Sequence, residues 1–174
     1  MCPSRSTFRL TRLGLLLSAL LVAPRGSGAQ DANAVDAEMV RVFLESGNIG
    51  KAWKKLAGLP LDHPLRPTLD REVVERAEAK ARDAARRILE GKPEDAVPAL
   101  LDAKIALPRR ASIHLYLALA YFTRSLKGGG SAALDERARA AIREARSLSP
   151  DLEPDPAVFS PRFRAFFKEV DSVK

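Results

Sequence analysis

Two histidines, His63 and His114, are the side chains best suited to metal ligation or proton transfer, and neither has a partner at ligand or catalytic spacing. His63 sits in a loop with three prolines, Leu59-Pro60-Leu61-Asp62-His63-Pro64-Leu65-Arg66-Pro67, and His114 lies within an apolar segment. The run Gly128-Gly129-Gly130 lacks the downstream Lys and Ser/Thr that a phosphate cradle needs, so it reads as a linker. There is no nucleophile elbow and no zinc signature. Carboxylates are plentiful, but most alternate with arginines as they do on solvated helix faces. Asp62 and Asp70 flank a loop, while Asp151, Glu153 and Asp155 alternate with Leu152 and Pro154. Neither set has the loop spacing of a calcium cage. These residues imply a chain that is not an enzyme and has no catalytic residue, cofactor or metal.

What recurs is a spacing. Gly91, Ala96, Leu100, Ala103 and Pro108 are separated by four, three, two and four residues; Gly47, Ala52, Leu56, Leu59 and Pro64 keep those gaps, as do Ala133, Ala138, Ile142, Ala145 and Pro150. A turn residue, small and large apolar residues at helical spacing and a closing proline describe the second helix of a helical hairpin. The small residues let a neighbouring helix approach closely. Such a unit recurring along the chain indicates a helical repeat array, which presents a surface rather than running chemistry.

The remaining elements follow from periodicity and turn chemistry. Val35, Met39, Val40, Val42, Phe43 and Leu44 place a helix over residues 31–45, and Ile49 to Leu59 forms a second. A charged helix over 70–90 starts at Thr68 or Asp70, with Val73, Val74, Ala77, Ala81, Ala84, Ala85, Ile88 and Leu89 as its apolar stripe. Gly91-Lys92-Pro93 ends it and starts the next. From Ala111 to Leu126 almost no polar face remains, so that helix is buried on more than one side. A polar helix over 132–148 follows the glycine run. The last helix, 161–171, carries Phe163, Phe166, Phe167 and Val170, with Ser160 as N-cap and Pro161 at the first helical position. No segment alternates like a strand, so the class is all-α.

The first 29 residues read as a secretory signal: Arg5, Arg9 and Arg12 precede the apolar run Leu13–Ala23, and Ser27 and Ala29 offer small residues before Gln30. The run is too short to span a bilayer, which takes about 20 residues. The only cysteine, Cys2, precedes it, so the mature chain has no disulfide and no lipidation site after the run. Four of the 29 basic residues (Arg5, Arg9, Arg12 and Arg25) leave with the signal, and the net charge falls from +7 to +3. That is no nucleic-acid footprint. Arginine outnumbers lysine 20 to 9, the bias of a GC-rich bacterial genome. The expected localisation is periplasmic or secreted.

The array resembles the tetratricopeptide repeat (TPR) family, whose unit of about 34 residues is a pair of antiparallel helices. His114, Leu117, Ala118 and Tyr121 take the spacing of that family's W-x2-L-G-x2-Y pattern, followed by Ala138, Ile142, Ala145 and Pro150. Met39, Val40 and Phe43 fit the same part of a first unit; in the second, Asp83, Ala84 and Arg87 keep only the small residue. The prolines lie 44 and 42 residues apart, longer than the family's period. The resemblance covers residues 33–150. It implies three antiparallel hairpins (30–150) and, over 151–174, a linker and a helix that either caps the array or faces a partner.

It also implies a concave groove lined by the first helix of each pair. The residues carried over are Arg41 and Leu44, then Ala81, Ala85 and Ile88, then Leu115, Leu119 and Phe122. The lysine and asparagine clamp with which some members hold a terminal carboxylate is absent. Such a groove suits an amphipathic helix of a protein or peptide partner, unless the C-terminal Phe helix or a second copy of the chain fills it. The expectation is an adaptor or assembly subunit of the bacterial envelope; the alternatives are a small-ligand or glycan-binding envelope protein and a degenerate accessory domain of an enzyme.

Overall fold

The computed structural model describes residues 27–172. The helices are α1 (Ser27–Glu45), α2 (Ile49–Ala57), α3 (Arg66–Leu89), α4 (Pro93–Ala106), α5 (Ala111–Lys127), α6 (Ala132–Leu148) and α7 (Pro161–Ser172), and no strand occurs among the described residues. The class is all-α. The expected signal lies outside the described residues up to Gly26, and α1 runs through the junction before Gln30.

Three glycines end α1, α3 and α5 by one hydrogen-bond pattern. Asn48 N–H donates to Phe43 O and Gly47 N–H to Leu44 O; Lys92 and Gly91 donate likewise to Arg87 and Ile88, and Gly130 and Gly129 to Ser125 and Leu126. This double closure needs a left-handed residue, and Gly47, Gly91 and Gly129 have φ of 70°, 79° and 77°. The third turn is therefore made by Gly129, four residues ahead of Ala133. Ala133 keeps the repeated spacing but lies in the first turn of α6, because the glycine run lets that helix begin at Ala132.

α3 begins at Arg66, four residues ahead of Asp70. Arg66 N–H donates to His63 O (2.9 Å) and Leu65 N–H to His63 Nδ1 (3.2 Å), so His63 organises the turn and Pro67 enters the first helical turn, where its missing N–H costs nothing. Ser160 caps α7 through Phe163 N–H (3.3 Å). α2 has no side-chain cap from Asn48. Asp102 of α4 serves instead, accepting from Ile49 N–H (3.0 Å) and Gly50 N–H (2.9 Å).

Consecutive helices pack in pairs, α1 on α2, α3 on α4 and α5 on α6, with further contacts of α2 and α5 to α4. At the repeated spacing Ala52, Leu56, Leu59, Ala96, Leu100, Ala103, Ala138, Ile142 and Ala145 are all buried. One apolar cluster joins α1 and α2 to the first half of α3 through Val40, Leu56, Leu69 and Val73. A larger one joins the second half of α3 to α4, α5, α6 and α7. α5 is buried on most sides, as its composition requires: Ile113, Leu117, Ala118 and Ala120 all lie in the larger cluster. Phe163 of α7, fully buried, meets the Phe122 ring edge-on at 5.5 Å, and Phe159 stacks on Tyr116 at 6.0 Å.

Candidate functional site

Successive odd-numbered helices leave three recesses between them. The inward stripe of α3, Leu69, Val73, Ala77, Ala81 and Ala84, follows the helical period. The charged residues flanking that stripe then stand at the edges of the gaps on either side. Between α1 and α3 lies a recess of about 370 Å³ lined by Arg41, Leu44, Glu45, Glu72, Glu75 and Arg76. Between α3 and α5 one of about 330 Å³ has Ala81, Leu107 and Ile113 as its apolar part and Glu78, Arg82, Arg110, Ser112 and Tyr116 around it. Between α5 and α7 a third, of about 590 Å³, is lined by Phe122, Arg162, Ala165, Phe166, Lys168 and Glu169.

Ion pairs organise these edges. Glu78 is shared by Arg82 (3.8 Å) and by Arg110, which reaches it across the α4–α5 connection, so the middle recess carries an excess of positive charge. Arg41 pairs with Glu38 (3.5 Å). Arg139 of α6 lies over the Phe166 ring at 4.8 Å and pairs with Glu169 at 2.9 Å, tying α6 to α7 beside the third recess. Each exposed pair contributes about 1 kcal/mol or less. They hold Glu78 and Arg110 beside the middle recess and Arg139 and Glu169 beside the third, and both of these recesses have apolar floors. No group of three His, Cys, Asp or Glu side chains that could hold a metal occurs among the described residues.

No family model, curated protein or solved structure matches this chain.

Of the residues expected to line a groove, Arg41, Leu44, Ala81 and Phe122 border the recesses. Ile88, Leu115 and Leu119 pack in the larger interior cluster, and Ala85 is buried beside them in α3. Arg41 alone of the eight is half-exposed; the others present little surface to solvent. The open surface is consequently charged at its edges, where an apolar groove with one arginine was expected. A Glu/Arg run on a helix reads as a solvated face, which gives no sign that Glu72, Glu75, Arg76, Glu78 and Arg82 border the recesses. The signal for them lay in α3 itself, whose charged positions fall immediately beside the inward stripe. His114 is buried and bonded through Nε2 to Pro108 O (2.9 Å), where it holds the α4–α5 connection against α5. Among the described residues no helix is long and apolar enough to cross a membrane.

Proposed function

We propose that the chain is a TPR-like helical repeat protein of the bacterial envelope, exported by its N-terminal signal, which binds a protein partner without catalysis. In this reading α1–α2, α3–α4 and α5–α6 are three antiparallel hairpins of a short solenoid, and α7 caps the last. The pairing of Asp36 in α1 with Lys55 in α2 (2.6 Å), one before and one after the turn at Gly47, supports opposed helix directions. The shared glycine closure after α1, α3 and α5 supports equivalent units.

The observation that carries the function is the row of recesses between α1, α3, α5 and α7, the helices that would form the inner face of the solenoid. Apolar floors with fixed charges at their edges suit an extended or helical segment whose side chains enter the recesses and whose charges meet Arg82, Arg110 and the α1–α3 acids. The test is in-cell cross-linking of the envelope protein, comparing wild type with Arg82→Glu and Ser112→Glu, both exposed at the middle recess. A specific adduct that both variants lose at unchanged melting temperature supports the reading; an adduct that both retain refutes it.

The middle recess also favours a second reading. Its volume falls within the range of small-ligand sites, and Tyr116, Ser112 and the Glu78–Arg110 pair could stack on and hydrogen-bond a sugar. Saturable glycan binding lost in Tyr116→Ala, without a protein adduct, would favour this alternative.

A further inference from the structure

We propose that the recess between the loop 150–156 and α7 is an oxyanion site, taking the phosphate or carboxylate group of a small ligand. It is about 610 Å³ in volume and shares only Lys168 with the recesses between odd-numbered helices. Three cations line it: Arg146 from α6, and Arg164 and Lys168 from α7. Arg164 and Lys168 are four residues apart and therefore lie on one side of the helix.

Two of these cations stand out. The Arg146 guanidinium lies 3.9 Å from the centre of the Phe167 ring, and its Nη2 donates to Phe167 O at 3.2 Å. Burial pushes its pKa down. Arg164 is the more telling of the two. Its Nε is shut off from solvent and has no hydrogen-bond acceptor among the described residues. A buried donor without an acceptor costs free energy, which a ligand oxygen recovers once the guanidinium turns into the recess. Guanidinium groups also match the paired oxygens of carboxylate and phosphate.

Asp151 and Glu153 line the loop side of the same recess and are exposed. Their repulsion disfavours an extended polyanion and selects a compact group seated against α7.

Titration calorimetry of the full chain with inorganic phosphate, and separately with succinate, at ionic strength held by sodium chloride, tests the site. Saturable binding of either anion is expected, and which one binds identifies the ligand group. Arg164→Gln should weaken it at least tenfold and Lys168→Gln several-fold, while Arg71→Gln, exposed on α3, binds like wild type. Without anion, the melting temperature of Arg164→Gln should equal or exceed that of wild type, since the unpartnered donor is gone. Should Arg164→Gln fail to fold, Arg164→Lys, which keeps the charge and removes Nε, takes its place. No saturable binding of either anion, or equal affinity in the Arg164 variant, overturns the proposal.

Discussion

Lys80 Nζ lies 2.5 Å from Asp102 Oδ2, and this contact joins three helices. The same ammonium donates to Gly47 O at 2.6 Å, while the carboxylate receives the first N–H groups of α2. α3, α4 and the turn before α2 are thus held at one point. Gly50 permits the approach: a Cβ there would fall 2.8 Å from Asp102 Oδ1 and 2.7 Å from Ile105 Cδ1.

Asp102→Ala should lower unfolding stability by about 2 kcal/mol, the upper end for loss of a helix cap, because it also removes the carboxylate paired with Lys80. Gly50→Ala should destabilise as well. The double variant should lose less than the two single losses combined, since both act through one carboxylate. Urea denaturation of the three variants measures this, and full additivity would separate Gly50 from the cap.

The same contact predicts a pH dependence. Burial by itself would raise the Asp102 carboxyl, but hydrogen bonds from Lys80 and from the Gly50 and Ile49 N–H groups, with the Lys80 charge, outweigh it and hold the group below its ordinary 3.8. A depressed carboxyl stabilises the fold fully above the unfolded value, and that stabilisation is lost as pH falls through the lower folded value. The stability gap between wild type and Asp102→Asn should accordingly be constant from about pH 7 to about pH 5 and close as pH falls below the ordinary value. A gap that closed nearer neutral pH would implicate another group.

Ala118→Phe should be severely destabilising. Ala118 is fully buried in α5, inside the larger cluster, and overpacking such a site typically costs about 1–3 kcal/mol. An unchanged melting temperature would mean that α5 has space beside it that its burial denies.

Phe163→Ala should cost about 3–5 kcal/mol, the range for truncating a buried aromatic. Phe163 is fully buried and touches the rings of Phe122, Phe159 and Phe167. Removing residues 158–174 altogether should lower the melting temperature and promote self-association, because Phe122 and Tyr116 would lose their covers. A truncated chain that stays monomeric and equally stable would make α7 a partner-facing element instead.

Glycine and proline made most helix ends legible, since few other residues satisfy a left-handed closure or a first-turn position without an N–H. The burial of α5 could be read for a similar reason, since its apolar residues leave little choice of face, whereas the sequence leaves open whether the Phe helix caps the array or faces a partner. The start of α3 was hidden because His63 acts through its own backbone and ring, a contact with no sequence signature. Ala133 misled because identical spacing does not distinguish a turn residue from a first-turn helical one. The recesses were the hardest to read. Periodicity finds the inward stripe of α3, but which charged neighbour of that stripe faces α1 and which faces α5 depends on how the helices cross.

α3 belongs to both apolar clusters, its first half to one through Leu69, Val73 and Ala77 and its second half to the other through Ala81, Ala84 and Ile88. Away from α3 the clusters meet chiefly around Ala106 and Leu107. Cooperativity between the two ends of the molecule therefore runs through α3 and through the seating of α2 on α4. Amide exchange should divide α3 near Lys80, with its early residues opening together with α1 and α2 while its later residues remain as protected as α5.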